Sequence, residues 1–150
     1  MNPVAAPITV NDTIMQEITI NGTAERIFQA LTNPEERLKW WGGPESRFKL
    51  TDFHSDLRPG GKWVMHAESV GRIVTIRGEY REIDRPRLLV FTWLPDWYEN
   101  ATESLVRWDL EESGGVTKVR LTHSGLITES SRENHRGWPQ IIAMLKAYIE

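Results

Sequence analysis

The chain has no cysteine, which excludes disulfides, thiol nucleophiles and thiolate metal ligands. That absence fits a reducing compartment, so a cytoplasmic location is expected. It also has no excess of basic residues: 18 Lys and Arg stand against 21 Asp and Glu, a formal charge of -3. A nucleic-acid footprint is therefore missing. No apolar run is long enough to span a bilayer, and the opening MNPVAAPITVNDT has neither the charged nor the apolar region of a secretory signal. Neither nucleic acid nor membrane is an expected partner. The four histidines, His54, His66, His123 and His135, show no HExxH or HxH spacing, so no metal site and no cofactor is expected. Ser124 lacks the Gly-x-Ser-x-Gly elbow of a hydrolase. Gly60-Gly61 and Gly114-Gly115 read as turns, since neither leads into a helix with the lysine of a phosphate loop.

What the chain does have is tryptophan: seven, against three Tyr and four Phe, in 150 residues. Indole combines a large apolar surface with one N–H donor. Two of the seven are adjacent, Trp40 and Trp41, inside LTNPEERLKWWGGP from Leu31 to Pro44. Neighbours on a helix point about 100° apart. One ring is then expected in the core and the other at the entrance of a cavity, or else both pack the helix junction. A length of 150 residues reads as one domain, large enough to bury roughly 70% of its unfolded surface without a staple.

Residues 1–12, with Pro3 and Pro7, read as a flexible lead-in, and 13–150 as the domain. Thr13 to Ile20 alternates as a half-buried strand, with Ile14, Ile18 and Ile20 on one face. Thr23 caps a helix carrying Ile27, Phe28 and Leu31. A second short helix starts with Asn33 as cap, Pro34 at the first position and Glu36 closing a capping box, and it ends at Trp41 before Gly42-Gly43-Pro44. From Arg47 to His123 the pattern is about six strands in hairpins. Arg58-Pro59-Gly60-Gly61 fits a type II turn, and Ser113-Gly114-Gly115 joins the last pair. Ser130-Ser131-Arg132-Glu133 is the expected capping box of a long C-terminal helix with Trp138, Ile141, Ile142, Leu145 and Ile149 as its stripe. Pro139 falls in the first turn of that stripe, with Gly137 near its start. Helices set apart from a run of strands argue an α+β fold with an antiparallel sheet.

Several strings together resemble the START/Bet v 1-like (SRPBCC) superfamily, and within it the activator of Hsp90 ATPase homologue 1-like family of small bacterial proteins. They are Ala30-Leu31-Thr32, Pro34-Glu35, Trp40-Trp41-Gly42, Asp56 to Gly61, Gly78, Tyr80, Glu82-Ile83, Pro86, Phe91-Thr92-Trp93, Leu121 to Leu126, His135 and Gly137-Trp138. Leu88 departs from the pattern, standing where the family commonly has an arginine. The resemblance implies a helix-grip fold: a curved antiparallel sheet wrapped around a long C-terminal helix, with two short helices after the first strand and a cavity between sheet and helix. It implies less about chemistry, because one fold hosts many functions.

The expected function is binding of a small hydrophobic or aromatic molecule in that cavity. The expected contacts are Trp40, Trp41, Trp63, Met65, Tyr80, Trp93, Trp108, His123, Trp138 and Met144. Rings supply contact area; Tyr80, His123 and indole N–H groups supply orientation. His123, on the face of Val119 and Leu121, serves as a pocket donor or acid/base, or else holds its loop to the last helix through His135 or Trp138. No catalytic residue is assigned. One alternative is a polyketide cyclase/dehydratase-like enzyme using Tyr80 or His123 in the same cavity. Another is an interaction domain docking a chaperone, or forming a homodimer, through an exposed Trp97-Tyr98 patch. The resemblance weighs against chaperone stimulation, because the eukaryotic co-chaperone uses a separate N-terminal domain. The charged strand residues Arg72, Arg77, Arg107, Arg120, Glu79, Glu82, Asp109 and Glu111 read as surface pairs. An inward charge would be a functional signal.

Overall fold

The computed structural model describes residues 7–42 and 48–150. Their order is β1 (Ile8–Val10), β2 (Thr13–Asn21), α1 (Ala24–Thr32), α2 (Pro34–Trp40), β3 (Lys49–Ser55), β4 (Lys62–Ser69), β5 (Arg72–Asp84), β6 (Leu88–Pro95), β7 (Ser104–Ser113), β8 (Val116–Ser124), α3 (Glu129–Glu133) and α4 (Trp138–Ile149). The strands form one antiparallel sheet in the order β1-β2-β8-β7-β6-β5-β4-β3. Hairpins explain most of that order; the long step is β2 pairing with β8, where Ile14 faces His123 and Ile18 faces Val119.

Alternation sends one residue in two to the inner face: Ile14 and Ile20, Val119 and Leu121, Val106 and Trp108, Leu89, Phe91 and Trp93, Val74 and Ile76, Trp63, Met65 and Ala67 are all buried. Two register shifts, at Leu50/Asp52 and Tyr80/Glu82, bend the sheet. The buried stripe of α4, Trp138, Ile142 and Leu145, lies in the concavity against β2, α1 and α2. This is the α+β helix-grip architecture.

The local signals act as the sequence suggests in most places. Thr23 accepts from the Arg26 N–H, and Asn33 accepts from the Glu35 and Glu36 N–H groups. Gly60 takes φ +83° in its turn, and the Gly61 N–H donates to the Arg58 carbonyl at 2.8 Å. Arg107 and Asp109 lie on the outer face and pair with each other.

Other expectations are corrected. Within the expected lead-in, Ile8–Val10 pairs with β2 through the turn at Asn11, which has φ +53°, and residues 1–6 lie outside the described residues. Glu36 does not reach back to its own helix start: its carboxylate takes the Arg26 guanidinium and, at 2.8 Å, the Tyr148 hydroxyl, tying α1, α2 and α4 together. The second helix stops at Trp40, with Trp41 as its C-cap. The capping box near 130 is built from Thr128 and Ser131, two positions earlier than expected. The C-terminal helical segment divides at Asn134–Gly137; α4 opens at Trp138, with Gly137 as N-cap and Pro139 in its first turn as expected. The expected Gly43-Pro44 break and the strand start at Arg47 lie outside the described residues.

Candidate functional site

The division between α3 and α4 creates the site. Instead of continuing along the sheet, the chain turns at Asn134–Gly137 and drops His135 and Trp138 into the concavity, where both are buried. Facing them are Trp41 from the end of α2, Leu50 of β3, Ala67 of β4, Ile76 of β5, Trp93 of β6 and Trp97 of the following loop. These groups line a half-open cavity of about 470 Å³, within the size range of small-molecule sites. Exposed Glu133, Arg136 and Gln140 form its rim.

Three indoles dominate the wall. Trp41 and Trp93 stack with centroids 6.5 Å apart and planes at 28°. Trp93 and Trp138 tilt at 5.4 Å, and Trp138 meets Trp41 edge-on at 6.1 Å. Trp97 packs on Phe48 at 5.0 Å and donates its N–H to Asn134 Oδ1 at 3.2 Å.

Behind the rings lies a closed polar network. Trp93 Nε1–H donates to His135 Nε2 at 3.0 Å. Indole nitrogen can only donate, so the His135 proton sits on Nδ1 and is given to the Ser131 carbonyl at 2.7 Å. In the same way Trp138 Nε1–H donates to His123 Nδ1 at 3.0 Å, leaving His123 Nε2–H for Ser104 Oγ at 2.7 Å. Ser104 in turn donates to the Trp93 carbonyl at 3.3 Å. Burial pushes the His135 pKa down to about 4, against the Ser131 carbonyl, which favours the charged form. Burial and then the nearby His135 push His123 well below its ordinary value. Both imidazoles are therefore neutral at neutral pH, and all four ring nitrogens are in use.

Of the residues expected to meet a ligand, Trp41, Trp93 and Trp138 line the cavity. Trp40 is buried in the helix junction with its N–H on the Ala30 carbonyl at 2.8 Å, so the two adjacent indoles do occupy different environments. Trp63, Met65, Tyr80 and Trp108 sit in the surrounding core, Trp108 edge-on to Trp138. The Tyr80 hydroxyl bonds Ser55 Oγ at 2.6 Å. His123 stands one layer behind the wall, bonded to Trp138 as the structural reading of that residue has it, and Met144 packs at the core's edge on α4. Trp97 and Tyr98 do not make an exposed patch: both are half-buried and pack against His135.

Sequence reasoning missed one inward charge. Arg37 is buried at 4% exposure, its guanidinium 4.5 Å from the ring centroids of both Trp41 and Phe53. The flanking Glu35, Glu36 and Lys39 make α2 look solvent-facing. The available signal was spacing: Arg37, Trp40 and Trp41 stand at i, i+3 and i+4, which is one helix face. Among the described residues no group of His, Asp or Glu could hold a metal ion, and no helix is long and apolar enough to cross a membrane.

A family model described as activator of Hsp90 ATPase homolog 1-like protein matches residues 21–150. Among solved structures the chain is similar to protein Ms6760 of Mycobacterium smegmatis, at 20% identity over 98% of this chain and 94% of the other, with a TM-score of 0.79. It is likewise similar to protein CV1439 of Chromobacterium violaceum, at 21% identity, 94% and 99% coverage and a TM-score of 0.79. Protein NE0264 of Nitrosomonas europaea gives 22%, 95% and 97%, with 0.77. At these identities the likeness is one of fold. Curated proteins give no match.

Proposed function

The chain belongs to the activator of Hsp90 ATPase homolog 1-like family, and from that premise we propose that it binds a small apolar or aromatic molecule between its sheet and its C-terminal helices. The observation that carries the reading is the cavity faced by Trp41, Trp93 and Trp138. Rigid indoles offer flat contact area at low entropic cost, and each offset or edge-on aromatic contact adds about 0.5–1.5 kcal/mol beyond area burial. Two of the three indoles have their polar atom already committed. Trp93 and Trp138 give their N–H groups to the histidines, so the depth of the cavity selects by shape more than by hydrogen bonding.

The same commitments favour binding over acid–base chemistry. A general base needs a free lone pair within reach of substrate, and neither His123 nor His135 has one in this arrangement. Tyr80, the other candidate, spends its hydroxyl on Ser55 away from the lining groups. Docking through Trp97 and Tyr98 loses its main support, since neither ring is a free surface.

The test is native mass spectrometry of the purified protein against its denatured mass, followed by thermal-shift screening of flat aromatic compounds. A retained small molecule, or a ligand raising Tm in the wild type and not in Trp41→Ala, is the expected result. A bare mass together with no Tm shift across the screen overturns the reading.

A further inference from the structure

Arg37 has more charge than its surroundings answer. Among the described residues its Nη1 donates to the Leu31 carbonyl at 3.1 Å, its Nη2 reaches only the Met65 thioether at 3.8 Å, and its Nε has no partner. None of the ion pairs among the described residues includes it. Burial lowers its pKa to about 10, so it remains a cation at neutral pH. Tyr80, whose ionised form would answer that charge, is held in its neutral form chiefly by burial. Buried charges in proteins are ordinarily paired, and two aromatic faces are only a partial substitute.

The unanswered charge adjoins the cavity. Trp41, one of the rings stacked on the guanidinium, is also a cavity wall. Met65 is paired in register with Ile76, and Ala67 is the next inward residue of β4; Ile76 and Ala67 both line the cavity. Successive inward residues of a strand are about 6.6 Å apart, so the guanidinium stands one side chain behind the wall. At the rim, Glu133 and Arg136 carry opposite charges. The described rim therefore carries little net charge, and the unanswered cation lies behind the inner wall.

We infer that the ligand is an organic anion with a flat apolar body, an aromatic carboxylate or sulfonate, and that Arg37 selects it once Trp41 turns aside. This rests on the cavity-binding reading above and narrows it to one chemical class. The overall charge of -3 works against anions, so any preference for them must come from a local cation.

Isothermal titration calorimetry with naphthalene-1-acetate and the uncharged, isosteric naphthalene-1-acetamide separates the possibilities. The wild type is expected to bind the acetate at least about tenfold more tightly. The advantage persists in about 0.5 M salt, because a buried pair is poorly screened. Arg37→Met removes the advantage and leaves amide binding in place, while Arg136→Gln leaves the advantage intact. Arg37→Lys, which keeps the charge and the stem, retains part of it and serves where the methionine variant does not fold. Equal or weaker binding of the acetate by the wild type overturns the inference and leaves the cavity reading standing. So does an advantage that vanishes with Arg136→Gln or with salt. If neither compound binds, the inference falls, and the cavity reading is decided by the mass and thermal-shift tests above.

Discussion

His123 and His135 lie edge to face with ring centroids 4.6 Å apart, and each is fixed as a neutral tautomer by an indole N–H. Around His135 the facing groups are His123, Trp93, Trp97 and Tyr98; none carries a negative charge at neutral pH that would welcome a proton. Its folded pKa of about 4 lies below the ordinary 6.5, so between those values the unfolded chain binds the proton and the folded chain does not. His135's share of the stability therefore falls as pH drops from about 6.5 and is gone near 4, where the loss amounts to about 3 kcal/mol, and His123, displaced in the same direction, adds a loss of the same sign. Urea denaturation from pH 7.5 to 4 checks this, and His135→Asn should make that part of the profile shallower without abolishing it.

Ser104→Ala removes the acceptor for His123 Nε2–H and leaves a donor stranded in the core. A loss of about 1–3 kcal/mol is expected, with the His123 ring proton shifting in the NMR spectrum. Unchanged stability would show that the ring can be satisfied another way.

Gly78 is required by packing. A Cβ there would stand 1.9 Å from the Thr92 carbonyl oxygen and 2.6 Å from Trp63 Nε1, because the Trp63 indole lies across β5 at that point. Gly78→Ala is expected to cost about 3 kcal/mol, at the high end for overpacking. Gly137→Ala has open space and an ordinary φ of -81° and should be neutral or slightly stabilising. Chemical denaturation midpoints of the two variants make the comparison.

Arg37→Met exchanges an unpaired buried cation for an apolar chain of comparable length. Without ligand it should raise stability by about 1 kcal/mol or more, read as an increase in the urea midpoint at unchanged m-value. A large loss instead would mean that the guanidinium's contacts with Leu31, Trp41 and Phe53 outweigh its desolvation.

Glu36→Gln loosens the tie between α1, α2 and α4. The Arg26 partner is partly exposed, so the expected cost is only about 1 kcal/mol. Hydrogen exchange should speed up selectively toward the C-terminal end of α4, around Tyr148.

Which strand residues share a face was legible because alternation is a strict geometric rule: Trp63, Met65 and Ala67 fall on one side as their spacing requires, and the fold turns that side inward. The cavity was less so. Its floor residues, Leu50, Ala67 and Ile76, look like any other core residue in sequence, and what distinguishes them is that α3 and α4 part company above them. That separation depends on Asn134–Gly137, where Gly137 and Pro139 gave a signal for the start of α4 and none for how far His135 would sink. Arg37 was hidden by its charged neighbours, since a polar helix face and a buried cation carry the same letters. The capping box slid from Ser130 to Thr128 because both offer a hydroxyl acceptor before a helix, and only tertiary packing decides between them.

The pairing of β2 with β8, Ile14 opposite His123, has a consequence for synthesis. On a ribosome adding about 5–20 residues per second, the first long strand waits on the order of ten seconds before its partner emerges. Throughout that interval Ile14, Ile18 and Ile20 form an unsatisfied apolar ribbon, available to any holdase at the exit tunnel. The hairpins from β3 onward can close locally as they appear, but the sheet cannot be joined to β2 until β8, about a hundred residues later, has been translated.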